Sequence, residues 1–513
     1  MTDPVPPTGT AGLRDDVVSA RSVSGAEHPI VPGFHPDPTI CRVGEEYYLA
    51  HSSFEYTPGV PLRRSTDLVT WTLAGHALEG DPHLRGGDAN AGGGVYAPTL
   101  RHHDGRFWMI TTNVSGAPGQ LVTSAPAIEG PWAPSTLIAG VDGIDPDLCW
   151  DDDGVCRLTF SSNMASAPGI AQARVDLEAG RLLDEPRTVS RGSGLAYPEG
   201  PHVFRRGAHW YLLYAEGGTE RGHAISVARA SSPDGPFEPH PQNPIFSRRS
   251  TVFPVQNTGH ADIVELADGS WAMVYLGVRP RGATPMFHVN GRETFLAGVD
   301  WEDDWPAVVP DRFRFPVPRT GFADEFDGPL DARWISPGLA PAEFARPTGA
   351  GVRILPAEAP NGAPSLLAAR TTDAHWRFAA HTTASDAAAV RVRMDERHWA
   401  EVALVDGRAE ARIRIGELSH AVADARPLAG GSRGLIVESR RATTGGPDDL
   451  VLAIADEDGE RELARWDGRY LSTEVAGGFV GRTVGIRATT TEVLFTRAEY
   501  APVEAQSRSQ KED

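Results

Sequence analysis

The chain has 513 residues, 40% of them hydrophobic and 23% charged, which is enough to bury several cores and too apolar for a disordered polymer. Its formal net charge of −20 argues against nucleic acid or anionic membrane as the main partner and leaves neutral or cationic ligands open. With 55 glycines and 42 prolines, the composition favours short strands and many turns over long helices.

The opening stretch, MTDPVPPTGTAGLRDDVV, has no basic start followed by an apolar run. No later stretch is long and apolar enough to span a bilayer, so the expected location is the cytoplasm, away from membranes. Residues 1–26 read as a disordered lead-in rich in Pro, Gly, Thr and Asp. Cys41, Cys149 and Cys156 show no framework spacing and read as reduced core thiols, with a Cys149–Cys156 disulfide across a turn as the open alternative.

From 27 to 318 one pattern recurs five times. The copies are DPTICRVGEEYYLAHSS from Asp37, APTLRHHDGRFWMITTN from Ala97, DPDLCWDDDGVCRLTFSSN from Asp145, EGPHVFRRGAHWYLLYAEGG from Glu199 and HADIVELADGSWAMVYLG from His260. Each has a distinctive first residue, an apolar strand, a glycine turn (Gly44, Gly105, Gly154, Gly207, Gly269) and a second apolar strand. Smaller echoes between them, such as STDLVTWTLAG and SSPDGPFEP, read as an outer hairpin. A repeat of about fifty to sixty residues with three or four short strands is the signature of a β-propeller blade. Five copies predict five blades, since one such sheet cannot bury both faces alone.

In a propeller the first strand of each blade lies beside the central axis. Asp37, Ala97, Asp145, Glu199 and His260 are therefore expected to point into one end of the channel. Each could merely cap a turn, because Asp before Pro is common there. Three carboxylates and a histidine at one repeat phase instead point to a shared site.

After Trp305 a proline-punctuated link, PAVVPDRFRFPVPRTG, leads into a second domain over 321–501. Its runs AAVRVRM, WAEVALV, ARIRIG, GLIVESR, LVLAIA, TVGIRAT and TEVLFTRAEY alternate apolar and polar residues, which predicts an antiparallel β-sandwich. The polar tail, 502–513, is expected to be disordered. The fold class is thus all-β, a five-bladed propeller followed by a sandwich.

Carboxylates sharing a cleft suit acid–base chemistry on a glycosidic bond, one ionised as base and one protonated as acid. A third carboxylate near the acid would raise the acid's pKa by like-charge repulsion. Phe34, Phe54, Tyr96 and Tyr197 flank these positions and could present walls to the apolar faces of sugar rings, or serve as ordinary core aromatics. Arg292 in GRETFL could pair with a carboxylate or hold a sugar hydroxyl. Glu216 in YAEGG is a competing acid, but it lies after a blade's second strand.

The stretches GFHPDPTICR, SSFEYTPGVPL, GGVYAPTLR, GIDPDL, YPEGPH, LLYAEGGTERGHA, NTGHADIVE and GRETFLAGVDW, in this order, make the chain resemble glycoside hydrolase family 43, especially its two-domain β-xylosidases and α-L-arabinofuranosidases. They cover most of 28–301, and RWDGRYLSTEVAGGFVGRTVGIRA extends the likeness into the family's concanavalin-like sandwich, to about residue 500. The resemblance implies an exo-acting, inverting enzyme that releases xylose from xylo-oligosaccharides, with arabinofuranosidase or dual activity as the alternative. It implies Asp37 as general base, Glu199 as general acid, and Asp145 as the residue that raises the acid's pKa and orients it. Phe34 flanks this set, and Phe54, Tyr96, His260 and Arg292 match positions that shape the sugar pocket. No cofactor is implied beyond a calcium ion that the histidine matching His260 helps hold, through water, in part of the family. Tyr96, Thr57 and Pro198 depart from common family residues, which bears on the sugar preference. A non-catalytic carbohydrate-binding propeller would keep the aromatics without needing Asp37, Asp145 and Glu199 together. Xylo- or arabino-oligosaccharides are the expected partners, with homo-oligomer formation left open.

Overall fold

The computed structural model describes residues 22–84 and 91–503. The lead-in over 1–21 and the tail from 504 lie outside the described residues. The lead-in expected as far as 26 ends earlier, because Ser22–Ser24 is a strand paired antiparallel with Arg314–Pro316. The Ser24 hydroxyl donates to Asp311 at 2.6 Å, and Val23 sits opposite the buried Phe315, which together tie the segment down.

Five antiparallel sheets follow in chain order. The first runs Thr39–Val43, Glu46–Ala50, Pro61–Ser65, Thr72–His76. The second starts at Thr99–His103, the third at Gly143–Trp150, the fourth at Glu199–Arg206 and the fifth at Gln256–Glu265, each continuing outward strand by strand. The expected glycine turns join the first two strands of every sheet, and all five glycines have positive φ, from 59° at Gly207 to 82° at Gly269, where a side chain would be strained. The first strand of each sheet touches the first strand of the next, and the fifth touches the first, so the five close a circuit.

The strand sequences explain this closure. Alternate residues point to opposite faces, and each sheet is apolar on both. Ile40 and Leu49 pack with Val264 and Val274 of the fifth sheet, whereas Cys41 and Tyr48 pack with Leu100 and Phe107 of the second. Equivalent cores fill the other three junctions, for example Ile110 with Leu158, Ile170 with Leu212, and Leu213 with Met273. Each buried Leu or Ile contributes about 1.5–3 kcal/mol, so no sheet keeps that stabilisation without both neighbours. Cys41, Cys149 and Cys156 are free and buried in these junctions.

The remaining chain forms two large antiparallel sheets. One has six strands and contains Ala388–Asp395, His398–Val405 and Thr483–Ala488; the other has eight and contains Trp376–Thr382, Arg433–Arg440 and Val493–Pro502. A continuous core that includes Trp334, Phe378, Val390, Leu435 and Phe495 lies between them.

This unit is joined to the circuit of sheets by polar contacts. Ser336–Pro337 pairs with Tyr56–Thr57, Arg370 Nε donates to the Phe34 carbonyl at 2.9 Å, and the fully buried Arg393 donates to the Tyr56 hydroxyl. The short, proline-rich link therefore connects two bodies that meet beside the predicted site.

Candidate active site

Three of the five strand starts expected to converge share an unusual backbone, and Ala97 does not. Asp37, Asp145 and His260 have φ of 55°, 57° and 45°, a region that non-glycine residues rarely adopt. The fourth sheet places Gly200 there, at φ 54°. The equivalent position in that sheet is thus Gly200, and Glu199 lies one residue earlier than the repeat suggested. Pairing slips between Ile144 and Asp147, between Glu199 and His202, and between Gly259 and Asp262, so a bulge re-aims the strand start in three sheets. A Cβ on Gly200 would come 3.0 Å from the His260 ring, so only glycine leaves that ring room. Strained backbone of this kind collects at functional sites.

Asp37 is buried and held by three groups. Arg292 Nη1 donates to its Oδ1 at 2.8 Å, Ser52 Oγ donates to its Oδ2 at 2.5 Å, and His260 Nδ1 stands 3.7 Å from Oδ1. Burial alone would push its pKa up, but Arg292, His260 and the Ser52 hydroxyl together hold it below the ordinary carboxylate value. Asp145 behaves oppositely. Burial, then the charges of Glu199 and Asp37, push it well above the ordinary range, against the Gly200 amide that donates to its Oδ2 at 3.1 Å. Asp37 is therefore the carboxylate kept ionised, and Asp145 the one whose surroundings favour its protonated form. Burial also lowers His260 to about 4, so its ring is neutral. Glu199 keeps 20% of its side chain exposed and lies beside the buried His223, whose Nε2 is 3.5 Å from its Oε1. Ser161 Oγ donates to the Pro198 carbonyl at 2.9 Å and fixes the segment that carries Glu199.

The aromatic wall is only partly the expected one. Phe54 and Tyr96 meet edge to face at 5.6 Å. Phe479 closes the group, stacked on Phe54 at 5.9 Å and edge-on to Tyr96 at 5.8 Å, with the Arg292 guanidinium 5.3 Å from its ring. Phe479 comes from the second unit, in the sequence AGGFVG, a stretch that the resemblance covered without assigning any of its residues to the pocket. Phe34 was expected at the pocket but is fully buried, packed on Tyr56 and under the Arg370 guanidinium. It supports the wall from behind. Tyr197 is 73% exposed and stands at the rim. Thr57 turns away from the pocket, its hydroxyl donating to the Leu339 carbonyl at 2.8 Å. Glu216 is no rival acid, because Ser193 and Ser226 each donate a hydroxyl to its Oε1 at 2.5 Å and the Ser193 amide donates to its Oε2.

Two residues further along each first strand lies a second polar layer: Thr39, Asp147, His202 and Asp262. Arg101, buried with them, unites it. Its guanidinium donates to Asp147 Oδ1 at 2.7 Å, Asp262 Oδ2 at 2.8 Å and Thr39 Oγ1 at 3.1 Å, and lies 3.0 Å from His202 Nδ1. All five sheets thus contribute to one ion-pair network. Calcium prefers six to eight oxygen ligands. Here Asp147 Oδ1 and both Asp262 oxygens accept from the guanidinium, Asp147 Oδ2 accepts from the Val203 amide, those of Asp37 are taken by Arg292 and Ser52, and His260 offers one nitrogen. Among the described residues no group of three or more His, Cys, Asp or Glu could hold a metal ion. This donor set does not fit the calcium ion that the family resemblance suggested.

The chain is similar to several known proteins. The profile of a family described as Glycosyl hydrolases family 43 matches residues 26–306. A xylosidase/arabinosidase of Butyrivibrio fibrisolvens is 33% identical over 90% of this chain and 95% of its own length. A non-reducing end α-L-arabinofuranosidase of Bacteroides ovatus is 42% identical over 56% of this chain and 55% of its own. Among solved structures, the GH43B protein of a Bacteroides ovatus xyloglucan PUL superposes with a TM-score of 0.84 at 31% identity, covering 94% of this chain and all of the other. A xylan β-1,4-xylosidase from Bacillus halodurans gives a TM-score of 0.81 at 27% identity, covering 93% of this chain and 99% of the other.

Proposed function

The chain belongs to glycosyl hydrolase family 43, and we propose that this glycoside hydrolase is an exo-acting, inverting β-xylosidase that releases xylose from the non-reducing end of xylo-oligosaccharides. The observation that carries the reading is the electrostatic division of the site. Asp37 is held ionised by Arg292 and Ser52, while burial and like charge push the pKa of Asp145, beside Glu199, upward. An inverting hydrolase needs that asymmetry.

In the proposed reaction Asp37 takes a proton from the water whose oxygen bonds to C1. The C1–O bond to the leaving group breaks, and the Glu199 proton passes to the departing oxygen. Asp145 orients this end of the site and holds its proton there. Phe54, Tyr96, Phe479 and Arg292 shape the pocket for the terminal sugar, with His260 beside Asp37. The five sheets are read as a five-bladed β-propeller over 27–318 and the two packed sheets as a concanavalin-like sandwich over 321–501. No metal ion takes part. α-L-Arabinofuranosidase activity in the same pocket is the second reading, favoured by the relatives whose names carry it.

Hydrolysis of aryl β-xylosides and aryl α-arabinofuranosides, with and without chelator, tests this. The wild type should turn over at least one class equally well in both conditions. Glu199→Ala should lose about 10²–10⁴-fold on substrates with poor leaving groups and far less on those whose leaving group needs no proton. No pentoside turnover by the wild type would overturn the enzyme assignment, and equal losses on all leaving groups would overturn the role of Glu199.

A further inference from the structure

Glu199 has a companion that the reaction as written does not use. His223 is fully buried, immediately before the third strand of the fourth sheet, Ala224–Ala230. Its ring lies against Gly259, where a Cβ would meet the ring atoms Cε1 and Nδ1 at 2.2 and 2.3 Å. The ring is thus slotted over a residue that cannot carry a side chain. Its Nδ1 is 3.1 Å from the Asn257 carbonyl oxygen. A carbonyl only accepts, so Nδ1 carries the hydrogen and Nε2 presents its lone pair. Asn257 offers that carbonyl from a left-handed backbone, φ 57°. Nε2 has no hydrogen-bond partner among the described residues, and the nearest carboxyl oxygen is Glu199 Oε1 at 3.5 Å. A buried acceptor left without a donor is costly unless something supplies one.

We propose that His223 is a positioning residue for the general acid, its Nε2 accepting a hydrogen bond from the protonated Glu199 carboxyl and so setting the rotamer from which the proton leaves. The proposal rests on the assignment of Glu199 above. Before substrate binds, the Glu199 O–H points at Nε2. When a glycoside enters, the leaving oxygen competes for that hydrogen at a carboxyl already turned to the correct face. The charged and titratable groups facing this pair are Asp145 and His260 around Glu199, and Asp37 and His260 around His223. None of them donates a hydrogen to Nε2, so Glu199 is the donor the geometry leaves.

Two substitutions separate anchor from acceptor. His223→Asn keeps a donor for the Asn257 carbonyl and removes the group at Nε2. His223→Gln places an amide oxygen where Nε2 stood. Initial rates are measured on xylobiose and on a dinitrophenyl β-xyloside, whose leaving group needs no proton. His223→Asn should fall about 10–100-fold on xylobiose, part of the range general acids contribute, and under about threefold on the activated glycoside. His223→Gln should keep most of the xylobiose rate. Equal losses on both substrates in His223→Asn, or equal xylobiose losses in the two variants, would overturn the proposal. So would failure of both variants to fold, since the ring would then be needed for the fold rather than for the acid. Wild type and Glu199→Ala run alongside. A Glu199→Ala variant with no leaving-group dependence would refute the acid assignment itself, and a leaving-group-dependent Glu199→Ala beside an indifferent His223→Asn would refute only the role of His223.

Discussion

Asp37 is kept ionised at a depth where burial alone would favour its protonated form. The opposing influence comes chiefly from Arg292, at 2.8 Å. The consequence for pH dependence has a definite sign. A base works only when deprotonated, and its pKa is lowered here, so activity should persist on the acid side down to or below about pH 3.9, the usual carboxylate value, as long as the fold holds. Replacing Arg292 with Met leaves burial without its main counterweight. The acidic limb of the kcat/KM profile should then move up by about one to three pH units. An acidic limb unmoved in Arg292→Met would mean that Asp37 is not the group it reports. Asp37, Asp145 and Glu199 could be read from the sequence because each precedes a recognisable strand, next to proline or in PEGPH. His223 could not, because its importance comes from a ring seated on Gly259 of another sheet. Arg101 was hidden for a similar reason, since its partners Asp147, His202 and Asp262 become one cluster only when the circuit closes.

At the scale of elements, the strand-entry bulges and one loop build the pocket. The five-fold pattern of glycine turns and apolar strands was legible because it repeats. The bulges were not, because they leave no periodic mark, and Glu199 was placed at a phase that Gly200 occupies. Ser22–Ser24 escaped notice because three polar-flanked residues carry no periodic signal. Phe479 shows the same limit from the other side. It follows Gly477 and Gly478, both at positive φ, and only the packing of the second unit brings it to Phe54 and Tyr96. The apolar face of a sugar laid on such a ring gains a contact of the same order as an aromatic pair, about 0.5–1.5 kcal/mol. Phe479→Ala should therefore raise KM for xylobiose about 2–12-fold, with thermal stability near that of the wild type, as steady-state kinetics and a melting curve would show. An unchanged KM would place the loop outside the sugar pocket.

Over the whole molecule, five apolar junctions close the circuit, and a single guanidinium ties its polar centre. Lys511 is the only lysine in the sequence, so every interior cation is an arginine, which stays charged and presents a planar fork to carboxylates. Arg101 in the channel, Arg292 at Asp37 and Arg482 paired with the buried Asp448 all use that fork. The two-unit division and the all-β character were legible from composition and alternation, whereas the surface where the units meet was not, since Arg393 and Tyr56 are far apart in the sequence. The central claim is that an ionised Asp37 directs water to C1 while Glu199 protonates the leaving oxygen on the opposite side. It is tested most directly by following the hydrolysis of an aryl β-xyloside, whose leaving group is not itself a sugar, by proton NMR at early times. The account predicts that α-xylose appears first and then mutarotates. β-Xylose as the first product, or no xylose at all, would contradict it.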